Sequence, residues 1–359
     1  MKDVVINGRF LAQPFSGVQR FAFNVVQALD RLFIDNPAAM RNRRFRIVSP
    51  RGARDPGFQA IEHRSVGRLR GQAWEQFELP WYARGVVLLN LGNTAPLATR
   101  RQIVTIYDVA SWVVPEAFSP MFRRWYRFLI PRVAGRASTV LTVSHFSASE
   151  ITKYLGVPRE RIRVIYSSAE HVLAHPSEPD ILERAGLRGR IVLGVGNRAP
   201  HKNFGVVLQA EQLLRDRNYT FVHAGEDLAH VFGASGATYD TAHALGRVTD
   251  GELRALYEAA ECFVFPSIYE GFGMPPLEAM SCGCAVVASS AASMPEICGD
   301  AALYFDPLDT EALACQIARI MDDGALRDTL AERGRARARE FSWERSASAL
   351  LAALDAVSS

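Results

Sequence analysis

Glu270 and Glu278 stand eight positions apart in Phe265-Pro-Ser-Ile-Tyr-Glu-Gly-Phe-Gly-Met-Pro-Pro-Leu-Glu-Ala-Met280, across a glycine-rich stretch that follows an apolar run. Carboxylates accept hydrogen bonds from hydroxyls, so the pair suits a sugar on one side and a ribose diol on the other. Gly271 and Gly273 let the backbone come close to a ligand and turn its amides toward it. The same two carboxylates would also serve as the acid and nucleophile of a glycosidase. A second constellation tips the balance toward a nucleotide-sugar. Gly196-Asn-Arg-Ala-Pro-His-Lys-Asn203 links the apolar run Ile191–Val195 to a helical pattern from Phe204. Arg198 and Lys202 therefore flank a helix N-terminus, where amides and the helix dipole already favour an anion. The chain has only three lysines (Lys2, Lys153, Lys202), and arginine supplies positive charge elsewhere. A lysine kept in this loop points to a need for a compact ammonium.

Other chemistries lack their residues. No GxxxxGK[ST] occurs, and Gly194-Val-Gly196 continues as Asn-Arg-Ala without a third glycine, which disfavours a dinucleotide and hydride transfer. No G-x-S-x-G elbow marks a serine hydrolase. The cysteines (262, 282, 284, 298, 315) are odd in number and have no histidine at ligand spacing, so they read as buried or neutral thiols of a reducing compartment, not a zinc site. No metal or cofactor is expected. The opening MKDVVINGRF is too short and too charged for a signal peptide, and no apolar run is long enough to span a bilayer. The expected location is the cytoplasm, with attachment to the inner membrane face as an extension of that reading.

These loops need a scaffold. A chain of 359 residues exceeds one ordinary core, and short β-branched runs alternate with longer amphipathic ones, the pattern of parallel α/β sheets. Strands are predicted at Val4–Asn7, Phe45–Ser49, Val86–Asn90, Ile103–Tyr107, Thr139–Val143 and Val164–Tyr166, then at Ile191–Val195, Thr220–Ala224, Cys262–Pro266, Ala285–Ala288 and Ala302–Phe305. Helical patterns cover Val18–Leu32, Met121–Ala137, Ser147–Leu155, Leu277–Ser281, 310–321 and 326–340. Two prolines in Ala174-His-Pro-Ser-Glu-Pro-Asp180 break the periodicity. The expectation is a domain at 1–172 and another at 173–340, two Rossmann-like doubly wound sheets facing across a cleft.

Charge divides the same way. Residues 1–175 hold 25 Lys+Arg against 12 Asp+Glu, a net of +13, and the remainder holds 16 against 26, a net of −10. The first half gathers Arg41, Arg43, Arg44 and Arg46, then Arg64, Arg68 and Arg70. One helical stretch mixes Arg123, Arg124, Arg127 and Arg132 with Trp125, Phe128 and Leu129. Such a face suits an anionic membrane or a lipid-diphosphate acceptor. Nucleic acid is not expected, because no recognisable module arranges aromatics for stacking.

E-x7-E within F-P-S-x-x-E-G-F-G-x-P-x-L-E-A-M resembles the signature of the retaining GT-B glycosyltransferases of family four. The similarity extends along most of the chain, through Gly246-Arg-Val-Thr-Asp-Gly-Glu-Leu253, Val287-Ala-Ser-Ser290, Met294-Pro-Glu-Ile-Cys-Gly299 and Phe341-Ser-Trp343, and in the first half through Gly17-Val-Gln-Arg20 and Ser144-His-Phe-Ser147. The resemblance implies that Arg198 and Lys202 neutralise a diphosphate leaving group, alongside Gly196 and Asn197. It implies that Glu270 holds the transferred sugar, with Gly271, Phe272, Gly273 and Met274 around it. Glu278 would take the ribose, Arg247 and Val248 the base, and Gly17 would let the N-terminal loop approach the donor. Arg20, Tyr107, Ser144 and His145 fall on the acceptor side, and a last helix from about 341 to 359 returns to the first domain.

One departure concerns the strand end. Many members carry His-Asp there, whereas this chain reads Thr105-Ile-Tyr-Asp-Val109. A tyrosine, with a pKa of about 10, is a poor base at neutral pH. It could still donate to a sugar hydroxyl, and Asp108 is expected to orient its loop. The implied reaction is transfer, with retention and without a metal, of a hexose from GDP-mannose or a UDP- or dTDP-sugar to a glycan or lipid-linked glycan. An epimerase or hydrolase of the same fold, or a nucleotide-sugar-binding protein without catalysis, would share these motifs.

Overall fold

The computed structural model describes residues 3–197, 199–225 and 243–358. They form two compact units: the first comprises residues up to Trp112, Arg124–Ser167 and Ser342–Ser359, the second Val113–Arg123 and Ser168–Phe341. Residues 113–123, which the sequence reading left in the first half, thus pack with the second unit.

The described strands of the first unit are β1 (Val4–Asn7), β2 (Phe45–Pro50), β3 (Glu62–Val66), β4 (Val87–Asn90), β5 (Gln102–Thr105), β6 (Thr139–Thr142) and β7 (Ile162–Val164). All pair in parallel in the order β3-β2-β1-β4-β5-β6-β7. The central strands are buried at every position, because helices cover both faces of a parallel sheet. Edge strand β3, Glu-His-Arg-Ser-Val, keeps its side chains partly or fully exposed, so it carries no apolar signal and reads as a loop from sequence. Strand order reverses beside β1, which opens a crevice between the carboxyl ends of β1 and β4. A buried network fills it. Glu75 accepts from Arg9 Nε at 3.0 Å, Asn7 at 2.7 Å and Thr94 at 2.7 Å. Glu75 is carried on a π-helical turn, Trp74–Glu78, that interrupts the helical stretch Gly71–Tyr82.

Helix Gly17–Asp35 buries Phe21, Val25, Leu29 and Phe33, and helix Trp343–Ser358 packs along it. Phe21 and Trp343 meet edge to face at 5.9 Å. Asp355 binds Arg43 at 2.7 Å and Arg41 at 2.6 Å. Arg43 is therefore buried, not part of an exposed basic cluster.

The second unit's described strands are β8 (Arg190–Val195), β9 (Tyr219–Ala224), β10 (Ala244–Gly246), β11 (Cys262–Phe265), β12 (Ala285–Ser289) and β13 (Ala302–Phe305). They are parallel in the order β10-β9-β8-β11-β12-β13, so the switch point lies between β8 and β11. Helices Phe204–Leu213, Thr310–Asp322 and Gly324–Ala338 cover one apolar cluster around Val192, Val264, Val287, Leu313 and Ile317. Cys262, Cys284 and Cys298 are buried, and burial pushes the Cys298 thiol up to about 12. Cys315, in contrast, is exposed. No helix among the described residues is long and apolar enough to cross a membrane.

Candidate active site

The two loops singled out in the sequence leave the carboxyl ends of β8 and β11, the strands that flank the switch point of the second sheet. Ligands of open α/β sheets bind there. The loops are tied together: Ile268 N donates to the His201 carbonyl at 2.8 Å, and Asn203 Nδ2 donates to the carbonyls of Pro266 at 3.3 Å and Pro307 at 2.7 Å. Asn203 stands at φ +54°, a left-handed conformation that asparagine tolerates, and turns the chain into helix Phe204–Leu213. Gly196, at φ +151°, lies against Gly225, where a Cβ would overlap the Gly196 carbonyl. Side chains are excluded there by backbone on backbone.

Lys202 and Glu270 form a direct ion pair, and Ser267 Oγ donates to the same Glu270 oxygen at 3.1 Å. Both side chains are mostly buried, 18% and 16% exposed. The loop backbone is held from below, because Ser293 Oγ reaches the carbonyls of Glu270 at 3.0 Å and Phe272 at 2.9 Å. Gly273, at φ +94°, precedes helix Met274–Cys282 and packs against Met294, with no room for a Cβ. Pro275 and Pro276 lie in the first turn and carry no N–H, so any backbone donor at this mouth belongs to residues 271–274. Asn197 Oδ1 accepts from Ala199 N at 3.2 Å and shapes the turn. Arg198 lies outside the described residues.

His201 was no candidate in its own right, although it sits inside the quoted loop. Its ring stacks on Phe118 at 6.4 Å, and burial, with the Lys202 charge beside it, lowers its pKa to about 4. The ring therefore stays neutral at working pH and adds no charge to the site.

One helical turn past the loop, Glu278 is buried, with one carboxylate oxygen 2.8 Å from His171 Nε2 and the other accepting from Tyr257 OH at 3.0 Å. Burial and the adjacent carboxylate raise the Tyr257 pKa well above its ordinary value, so its hydroxyl remains a donor. His171 was missed, since 107 positions separate it from Glu278 and no motif contains it. Arg247 and Val248 follow edge strand β10 and lead to Thr249, which caps helix Asp250–Ala259 in a capping box with Glu252.

In the first unit, Tyr107 follows β5 and is buried, and its hydroxyl reaches the carbonyls of Leu91 at 2.8 Å and Val18 at 3.3 Å. Its backbone N–H donates to Asn93 Oδ1 at 3.0 Å. Burial raises its pKa well above 10.0, so it carries its proton throughout. Asp108 accepts from Ala110 N at 2.9 Å and caps the short turn after it. Gly17 opens helix Gly17–Asp35, and Arg20, one turn in, lies over Phe15 at 5.6 Å. Buried Ser144 caps helix His145–Leu155 through Ser147 N at 3.0 Å, and exposed His145 meets Arg159 at 3.0 Å.

Known proteins place this arrangement. The family model described as Glycosyltransferase Family 4 matches residues 15–170, and that described as Glycosyl transferases group 1 matches residues 179–337. An Escherichia coli O-antigen chain mannosyltransferase B is 36% identical, with the match covering 69% of this chain and 68% of the relative. The chain is a family 4 glycosyltransferase. Another relative, the O-antigen chain mannosyltransferase RfbU of Salmonella typhimurium, is 30% identical over 71% of this chain and 72% of its own. Anabaena HepE, solved in complex with UDP and glucose, superposes with a TM-score of 0.72 at 18% identity over 99% of this glycosyltransferase and 100% of that chain. WaaG, a glycosyltransferase involved in lipopolysaccharide biosynthesis, gives 0.66 at 17% over 97% and 98%. Both likenesses show the GT-B fold of this glycosyltransferase.

Proposed function

We propose that this glycosyltransferase moves a hexose, mannose from GDP-mannose before any UDP- or dTDP-sugar, to a glycan or lipid-linked glycan acceptor of a surface polysaccharide. The observation that carries the reading is the Lys202–Glu270 pair at the switch point, a cation for the leaving diphosphate directly beside a carboxylate for the transferred sugar. The mannosyltransferase names of the two O-antigen relatives support the choice of sugar. Glu278 takes the ribose and Val248 the base. Transfer proceeds with retention: the bond from the sugar's anomeric carbon to the phosphate oxygen breaks as the acceptor oxygen bonds that carbon on the same face. The departing phosphate accepts the acceptor's proton, and the cationic loop stabilises the negative charge that develops on the leaving diphosphate. No metal takes part, so EDTA should leave turnover unchanged.

The partner proposed for the first unit's basic face is an anionic membrane carrying the acceptor. On the part of helix Pro120–Arg136 that belongs to this unit, Phe128 is 45% exposed, and Arg132 lies 3.9 Å over its ring. Leu129, read from sequence as part of the apolar patch, belongs to the core.

The test is turnover of a nucleotide-sugar panel with and without a lipid-linked glycan. Acceptor-dependent release of GDP from GDP-mannose supports the reading. Release from UDP-glucose alone would replace the donor, and equal release without acceptor would favour a hydrolase.

A further inference from the structure

Glu278 cannot act on a ligand alone, because a carboxyl buried to this degree needs donors to stay ionised and fixed in plane. The second unit supplies two, one per oxygen. Tyr257 reaches across from helix Asp250–Ala259, and His171 from the short helix Glu170–Ala174. The His171 and Glu278 side chains are each 8% exposed. The other His171 ring nitrogen, Nδ1, is buried and has no hydrogen-bond partner among the described residues. The ring therefore owes its polar anchoring to Glu278, and Glu278 owes one oxygen's orientation to the ring. A carboxylate can accept about four hydrogen bonds, and these two donors, one on each oxygen, fix its plane.

We propose that His171 is a positioning residue for donor binding, which acts through Glu278 to set the preference for a ribose-bearing nucleotide. The inference rests on the reading of Glu278 as the ribose ligand. His171 touches neither the sugar nor the diphosphate in that reading. Its removal should raise KM for the donor and leave kcat nearly unchanged, since the ribose takes no part in bond making.

The experiment compares the affinity of the full chain for GDP and UDP with that for their 2′,3′-dideoxy counterparts, by calorimetry. The wild-type protein should prefer a ribonucleotide by about tenfold or more, the range for a charged hydrogen bond. Glu278→Gln should lose most of that preference. His171→Ala should lose most of it as well, while its affinity for the dideoxy nucleotide stays at the wild-type level, which also reports an intact fold. His171→Gln, whose amide can place an N–H where Nε2 stood, should restore the preference. A full ribose preference in His171→Ala, with loss in Glu278→Gln, would overturn the proposal and leave the ribose reading standing. An undiminished preference in Glu278→Gln would remove the ribose reading itself. Equal loss of affinity for both nucleotides in His171→Ala and His171→Gln would mark a merely structural histidine, and absence of nucleotide binding by the wild-type chain would end both readings.

Discussion

Lys202 and Glu270 close an ion pair across the switch point of the second sheet, although 68 positions separate them in the chain. Each neutralises the other until a donor arrives with its own charge and hydroxyls. Lys202→Ala should therefore lower kcat/KM about 100-fold or more, the usual loss for a preorganised charge-stabilising donor. It also leaves a mostly buried carboxylate without its cation. The double variant with Glu270→Ala should then be far less damaging than the sum of the two single changes, as measured by a kinetic double-mutant cycle. Additive effects would separate the two residues.

The proposed retention makes a stereochemical prediction. An α-linked donor should yield an α-linked product, read from the one-bond anomeric coupling constant by NMR. A β-linked product would replace the mechanism with inversion.

Tyr107 tests whether the substituted strand end acts or merely holds. Its hydroxyl is spent on the carbonyls of Leu91 and Val18, so Tyr107→Phe should cost about 1 kcal/mol of stability and change kcat less than tenfold. A loss of several hundredfold at unchanged stability would give the hydroxyl a direct role. Folding raises its pKa, so the stability it lends is complete below pH 10 and is lost as the pH climbs further.

His201 predicts an acid-side effect. Its folded pKa, about 4, lies below the unfolded value near 6.5, so the unfolded chain takes up the proton first. Its contribution is intact above pH 6.5 and declines between 6.5 and 4. His201→Gln should flatten the fall in Tm across that window, with differential scanning calorimetry as the measurement.

The basic helix face predicts salt-sensitive attachment. Sedimentation with anionic vesicles should exceed that with neutral ones and weaken with salt, at about 1 kcal/mol for each cation near the surface. Arg124→Ser with Phe128→Ser should reduce pelleting. Equal recovery with both vesicle types would remove the electrostatic part.

Much of this could be read from residue types. Val4–Asn7 and Ala302–Phe305 stand where their apolar runs put them, and Lys202 and Glu270 were found from glycines, a helix start and charge. What escaped was polar or distant. Edge strand β3 shows no apolar pattern, and the three-residue β10 is too short for one. Arg9 enters the sequence reading only as a charge in the opening stretch MKDVVINGRF, yet it is buried on Glu75, 66 positions away. Pairings of this kind depend on which strands lie side by side, and strand order leaves no local trace.

The helix Trp343–Ser358 has a consequence for synthesis. Leu350 and Leu354 are fully buried in the first unit, and Ser346 Oγ reaches the Tyr166 carbonyl at 2.6 Å. Ribosomes release this helix only after every residue of the second unit. A nascent first unit must therefore wait with the flank of helix Gly17–Asp35 uncovered while its neighbour is translated. Apolar side chains such as Phe21 stay open to chaperones for that interval. Expressing residues 1–167 alone would make the wait permanent.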